Sequence, residues 1–472
     1  MGKIWDLDAF KENIAMIDDR GESVTYGELN EGADRLVKAA GERCIVFCLC
    51  RNEIGSAFGY ISFVNNGIVP VMLNSHLDEE LLKTLMEAYH PCFLWVPKDQ
   101  AEQFAGGESV YSRYEYVLLK TAYEQAYPLY GELALLLTTS GSTGSPKFVR
   151  QSYENILNNA RSIVEYLELD ETERPITTLP MNYTYGLSII NSHLLVGATI
   201  LVTDKGVLQK EFWNFFKERQ ATSFGGVPYT YEMLDKLRFY RMNLPSLRTM
   251  TQAGGKILPE LHERFAKYAK EQGKHFVVMY GQCEATARMG YLPPERAVEK
   301  KGSMGIVIPG GKFRLVAADG SEISTPHVTG ELVYEGKNVT LGYAEKGEDL
   351  VLGDERCGIL ETGDMAQFDE EGFFYIVGRK KRFLKIYGNR VNLDEVERMI
   401  KGEFETEAAC AGKDDHMYIF VTDEKSSNVV KDFVIGKTKL NPAAFKVVVI
   451  DEIPKNDSGK TVYVKLEKYY EE

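Results

Sequence analysis

Little in this chain could build a disulfide framework or a metal cluster. Seven cysteines are scattered over 472 residues. Cys44, Cys48 and Cys50 lie close together, but no C-x-x-C pair or histidine set faces them, so metal-site spacing is missing. An odd number of cysteines behind no apolar leader implies reduced thiols, as in a cytoplasm. The opening Met-Gly-Lys-Ile-Trp-Asp lacks the apolar core of an export signal, and Gly2 lacks the following Ser or Thr that myristoylation needs. No segment is long and apolar enough to span a membrane. Positive charge is short as well: 55 Lys and Arg against 69 Asp and Glu give a net charge of −14. That argues against general nucleic-acid binding, which needs a basic surface to displace counterions. The local exception is Arg379-Lys-Lys-Arg382 with Lys385, which reads as a solvated run. No internal repeat or low-complexity tract is present. The expectation is a soluble, cytoplasmic protein.

With 44% hydrophobic residues the chain can fill sizeable cores, and its length calls for two or more domains. Helical and strand-like patterns alternate over most of it. Residues 26–40 and 54–66 read as helices, and 44–50, 69–73, 93–96 and 116–119 as strands. Further on come a helix over 153–167 capped by Ser152, a strand near Thr177, a helix from Leu187, a strand over 199–202 and a helix from Gln209. The order implies an α/β fold with mostly parallel sheets carrying helices on both faces. Residues 302–343 shift to short strands broken by glycine, a small β-rich subdomain. A last strand over 373–378 precedes a boundary near Arg379 to Arg382, dividing 1–380 from 381–472. The second part reads as α+β, with a helix over 393–400 and strands over 417–421 and 446–450. The charged tail, 466–472, is expected to fray.

The most informative stretch runs from Leu135 to Lys147, Leu-Leu-Leu-Thr-Thr-Ser-Gly-Ser-Thr-Gly-Ser-Pro-Lys. An apolar strand empties into a loop whose glycines permit tight turns and whose N–H groups and hydroxyls donate. Thr139, Ser140, Gly141, Ser142, Thr143 and Gly144 could cradle phosphates, and a strand, this loop and a helix from Tyr153 would complete the cradle. It is not the common P-loop, because the Gly-Lys pair of G-x-x-x-x-G-K-[ST] is missing. An ordinary connecting loop is the alternative, since Ser, Thr and Gly are frequent in loops.

The segment from Thr139 to Lys147 resembles the signature loop of the adenylate-forming superfamily: acyl-CoA synthetases, peptide-synthetase adenylation domains and luciferases. Tyr280-Gly-Gln-Cys-Glu-Ala-Thr286 is similar to its Y-G-x-T-E segment. Gly330-Glu-Leu332, Gly342-Tyr343, Thr362-Gly-Asp364 and Gly378-Arg-Lys-Lys follow in the family's order. Pro454-Lys-Asn-Asp-Ser-Gly-Lys460 resembles its closing P-x-x-x-x-G-K, and Val24-Thr-Tyr-Gly-Glu-Leu29 its opening T-Y-x-E-L. The likeness spans nearly the whole chain.

The resemblance implies ATP-dependent activation of a carboxylate through an acyl-adenylate. Charge then builds on the phosphoryl oxygens and calls for donors, a cation and Mg²⁺. Residues 139–144 and Lys147 would hold phosphate, while Glu284 and Thr143 would hold the metal, a hard ion that prefers oxygen. Asp364, after a Thr-Gly turn, would accept the ribose hydroxyls with Arg379 beside it. Tyr280 would face the adenine, with Gly281, Gln282 and Cys283 alongside and Gly254, Gly255 and Lys256 passing along the base. Lys460 would bridge the carboxylate and the α-phosphate, then leave as the small domain, 381–472, swings on Lys381. Gly388 would line the thiol tunnel. The acceptor is CoA or a carrier protein's phosphopantetheine. A degenerate, non-catalytic ATP-binding relative and a luciferase-type oxygenase are the rivals.

Two departures from the family matter. Cys283 stands where the family has threonine, exchanging a hydroxyl for a weaker donor. Leu179-Pro-Met-Asn-Tyr-Thr-Tyr-Gly-Leu187 contains no acid, and Thr184 takes the place of the aspartate with which amino-acid-activating relatives pair the α-ammonium. A buried ammonium without a counter-charge is costly, so the substrate is expected to be an acid without an α-amino group. Tyr183, Thr184, Tyr229 and Gly254 are the expected pocket walls.

Overall fold

The computed structural model describes residues 3–104, 107–124, 126–138, 147–404, 406–424, 426–455 and 461–470. Two large sheets form the frame. One runs Ile306–Val307, Gly290–Tyr291, His275–Tyr280, Thr249–Gln252, Ser223–Gly226, Pro175–Ile176, Ile200–Val202, Ile14–Asp18, Ser23–Thr25. The other runs Gly342–Ala344, Phe148–Ser152, Leu133–Thr138, Val69–Asn74, Ile45–Cys50, Phe93–Pro97, Tyr116–Lys120, Glu108–Arg113. Their central strands pair in parallel, as the alternating pattern demands, whereas the strands at both margins pair antiparallel.

Two helices are packed between the sheets. Residues 54 to 64 of Ile54–Asn65 are all buried, as are nearly all residues of Thr184–Leu195. Neither has a polar face, because neither meets water. Surface helices such as Tyr26–Ala40 and Tyr153–Leu167 are amphipathic, and each starts with a capping box, from Thr25 and Ser152.

A third, antiparallel sheet joins Glu322–Ile323, Gly311–Val316, Gly330–Gly336, Ile359–Phe368 and Phe374–Arg379. Beyond it the chain builds its own small sheets. Phe383–Ile386 pairs with Asn389–Asn392, and Ala408–Lys413, His416–Val421 and Phe445–Val449 form the last sheet. Helices Leu393–Glu403 and Ser426–Thr438 accompany these strands, and this part has apolar clusters of its own.

Four expectations need correction. The loop after Leu133–Thr138 does not lead into a helix: Phe148–Ser152 intervenes as an antiparallel partner strand. Its sequence hides this, because Arg150 and Gln151 are polar yet fully buried, with Arg150 paired to Glu355 and to the carbonyls of Tyr343 and Gly353. Thr362-Gly-Asp364 is not a turn but an irregularity within Ile359–Phe368, where Gly363 takes φ +69°. The tail does not fray through 470, since Leu466 is buried and Tyr470 stacks on Tyr418 at 4.8 Å. Nor is the basic run simply solvated: Arg382 is largely enclosed, paired with Asp394 and Glu397. Ala408–Lys413 and Ser426–Thr438 were not expected at all.

Candidate active site

The Y-G-Q-C-E-A-T segment leaves the end of His275–Tyr280 and turns back sharply. Gly281 permits this: a Cβ there would lie 1.5 Å from the Ala287 carbonyl oxygen. The Tyr280 hydroxyl donates to Asp364 Oδ2 at 2.5 Å, and Gln282 Nε2 donates to the same oxygen at 2.9 Å. Gln282 also donates to the Thr362 carbonyl at 2.9 Å, tying the two motifs together. Arg379 Nε stands 3.7 Å from Asp364 Oδ1 across paired strands.

Asp364 is buried, and burial raises its carboxyl above the usual range, against the lowering pull of Tyr280, Arg379 and Gln282. Burial, and then the Asp364 charge, push the Tyr280 phenol well up. The result is a polar recess in which Oδ1 faces an exposed guanidinium and can accept further hydrogen bonds.

Two residues along the same turn, Glu284 forms a second cluster. The Tyr343 hydroxyl donates to Glu284 Oε1 at 2.6 Å, so the Gly-Tyr motif orients this carboxylate. Lys147 Nζ lies 3.9 Å from the Tyr343 ring centroid, and the Arg356 guanidinium lies 4.7 Å from the same ring. Arg356 Nη1 also donates to the Glu284 carbonyl at 3.2 Å and to Thr340 Oγ1. A single oriented carboxylate of this kind suits Mg²⁺, which keeps several waters and takes its remaining ligands from substrate phosphate. The sequence reading overlooked Arg356, which follows a Gly-Asp-Glu turn with no motif to mark it.

The third group is the chamber at the start of Thr184–Leu195. Tyr183 is buried beside Gly254, where a Cβ would sit 2.7 Å from its hydroxyl oxygen; Gly254 has φ +84°. Burial raises the Tyr183 phenol, and the neighbouring Cys283 adds to the rise. Thr184 Oγ1 donates to the Thr286 carbonyl at 2.7 Å, fixing the helix start against the turn. The Tyr183 and Tyr185 rings meet edge-on at 6.3 Å. No acidic side chain enters this set.

The remaining expected residues sit apart from these clusters. Gly255 is exposed, beside Pro228, and Lys256 Nζ donates to the Ile376 carbonyl at 2.7 Å rather than facing the Asp364 recess. Tyr229 is 45% exposed, with Lys455 Nζ 5.4 Å from its ring, and so is not enclosed with Tyr183. Lys381 is exposed. Gly388 lies at the tip of the hairpin between Phe383–Ile386 and Asn389–Asn392, with φ +85° and open space around it. Thr139 to Gly144 and Lys460 lie outside the described residues.

The family model for AMP-binding enzymes matches residues 5–344. Oxalate–CoA ligase of Arabidopsis thaliana is 30% identical over 352 residues, which span 69% of this chain and 65% of that protein. 2-Succinylbenzoate–CoA ligase of Bacillus subtilis (strain 168) is 25% identical over 478 residues, 95% of this chain and 93% of that protein. Among solved structures, o-succinylbenzoate CoA synthetase (MenE) from Bacillus subtilis, in complex with the acyl-adenylate intermediate OSB-AMP, superposes with a TM-score of 0.80. It is 23% identical, and the match covers 99% of this chain and 98% of that one. ATP-bound MatB from Rhodopseudomonas palustris gives 0.77 at 21% identity, covering 97% and 96%. These two share the fold. With the family model covering most of its length, the chain belongs to the AMP-binding enzymes.

Proposed function

We propose that this protein is an acid–thiol ligase that transfers the AMP moiety of ATP to a carboxylic acid without an α-amino group, releasing pyrophosphate, and passes the acyl group to CoA. One observation carries the reading: the Asp364 recess, the oriented Glu284 and the acid-free Tyr183 chamber all lie along one turn, 280–288. The CoA ligases among the relatives support it, though their names differ in the acid: oxalate, 2-succinylbenzoate, indoleacetate.

In the first step a carboxylate oxygen attacks the α-phosphorus, the bond to the bridging oxygen breaks and pyrophosphate leaves. Asp364 accepts the ribose hydroxyls, with its Oδ2 held by Tyr280 and Gln282. Arg379 and Lys147 offer charge to phosphate, together with residues 139–144. Glu284, set by Tyr343, would hold Mg²⁺ together with Thr143, and the ion when bound would supply positive charge toward the pyrophosphate oxygens. Lys460 bridges the two reactants as a point charge. In the second step the thiol sulfur attacks the acyl carbon, AMP leaves and the thiol proton is lost to solvent.

The unit 381–472 turns on Lys381 between the steps and brings Gly388 to the thiol. The cytoplasm is the compartment that suits seven cysteines none of which forms a disulfide; no helix of the described residues is long and apolar enough to cross a membrane. A carrier protein is the alternative acceptor. The basic run gives it little support, since Arg382 is engaged with Asp394 and Glu397 and Lys380 pairs with Glu331 at 2.6 Å.

ATP–pyrophosphate exchange across aliphatic, aryl and amino acids is the test. Exchange with acids and not with amino acids is expected, followed by AMP release that saturates with CoA. Exchange confined to amino acids sinks the reading, and saturation only by a holo-carrier moves the acceptor.

A further inference from the structure

Four residues beyond Glu284, Arg288 is buried at 2% exposure, and no described carboxylate pairs with it. Its Nε and Nη2 share one hydroxyl, Ser188 Oγ, at 3.2 and 2.9 Å. Nη1 meets the Tyr166 hydroxyl at 3.4 Å and the Met279 sulfur, and the plane lies over the Tyr185 ring at 4.3 Å. One hydroxyl, a distant phenol, a thioether and a ring are weak company for a full charge. They leave part of its five-donor fork unused. Removing a guanidinium from water costs several kcal/mol unless a counter-charge returns it. A buried cation that keeps no anion of its own is arranged for one that arrives.

A second observation comes from the cavity that Arg288 lines with His193, Ser192, Thr249, Thr251 and apolar residues including Ile163 and Ile189. His193 is 3% exposed, its Nδ1 is 2.8 Å from the Ile189 carbonyl, and its Nε2 has no partner. Because a carbonyl only accepts, Nδ1 carries the proton and Nε2 presents a lone pair. A water in this cavity would donate to Nε2 and, with its other hydrogen, to an anion on Arg288. The cavity adjoins the acyl chamber: Tyr185 contacts Tyr183 on one side and Arg288 on the other.

We propose that the acid is dianionic: one carboxyl is adenylated, and a distal carboxylate is held by Arg288. This rests on the acid-activating reading above. Arg288 is then the residue that decides which acids enter. Its fork can take a carboxylate bidentately, which a neutral chain end cannot match. The same charge repels an α-ammonium, in agreement with the acid-free segment 179–187.

The test is pyrophosphate exchange with aliphatic and aryl dicarboxylates, each beside its monomethyl ester. For at least one pair the wild type is expected to favour the diacid about 100-fold in kcat/KM, because the ester leaves a buried cation unpaired. Arg288→Met should cut that ratio to below about fivefold, while Arg288→Lys retains part of it. Arg288→Gln replaces the Met variant if the latter does not fold. Equal use of diacid and half-ester by the wild type overturns the proposal, and so does a ratio that the variants leave unchanged. Should no acid support exchange, the acid-activating reading fails. Calorimetric titration of the same diacids then decides the site: saturable binding that Arg288→Met abolishes upholds it, and no binding overturns it.

Discussion

Two arginines, Arg288 and Arg382, are largely withdrawn from water in different parts of the chain, and their surroundings differ completely. Arg382 lies between Asp394 at 2.8 Å and Glu397 at 2.6 Å, donates to the Cys410 carbonyl at 2.7 Å and stacks on Tyr463 at 3.8 Å. Arg288 has a serine, a tyrosine and a sulfur. The first carries its counterions with it, and its work is to hold the small sheets of the last part to their helix. The second is left uncompensated beside a cavity. Burial alone does not separate a structural charge from a ligand-facing one; the completeness of its partnering does.

The largest expected effect tests that contrast in stability. Arg382→Met should destabilise by about 3–5 kcal/mol in urea unfolding, because Glu397 is left buried without its counter-charge, with only the Cys410 N–H and the Tyr463 hydroxyl donating to it. Arg288→Met should lie within about 1 kcal/mol of wild type or above it, since no ion pair is lost and an uncompensated charge is removed. Equal losses would break the comparison.

His193, beside Arg288, gives the next effect. Burial, the largest influence, lowers its pKa from 6.5 to about 4. The unfolded chain therefore binds more protons than the native one between those values, and stability falls as pH drops through that window. The loss is roughly 3 kcal/mol, fully present below the native value and absent above 6.5. In His193→Leu the slope of unfolding free energy against pH from 6.5 to 4 should flatten.

Asp364 extends the contrast to an anion whose Oδ1 is incompletely satisfied. Asp364→Asn should raise the KM for ATP by about 10- to 100-fold, the worth of one or two hydrogen bonds to a charged acceptor. Its unfolding free energy should move by less than about 1 kcal/mol, since Tyr280 keeps an oxygen to bond. A variant that unfolds instead would place Asp364 with Arg382, among the structural charges. The smallest effect is that of Cys283→Thr, expected to change exchange less than about threefold; a dead variant would give the thiol a role of its own.

The turn 280–286, Asp364 and Arg379 were legible because each sits in a short motif whose spacing survives without context. Tyr343 was visible as a motif residue, though not as the group that orients Glu284. Phe148–Ser152 was hidden because a buried Arg-Gln pair reads as surface, and only Glu355, some two hundred residues on, neutralises it. Arg288 sat in plain view two residues after Glu-Ala-Thr and drew no notice, since a lone arginine in sequence is usually exposed. Tyr229 was expected among the pocket walls because it follows Val-Pro, yet Pro228 starts a helix that turns the ring outward.

By itself the sequence determined the alternation of strands and helices, the family and the identity of the polar groups along one turn. These follow from local propensity, hydrophobic period and short-range spacing. Only the tertiary structure decided which charges are paid for by partners. Ion-pair compensation depends on residues far apart in the chain meeting at about 3 Å, and no local pattern records that distance. Arg150 found its carboxylate across the fold, Arg382 found two on the helix that follows it, and Arg288 found a cavity.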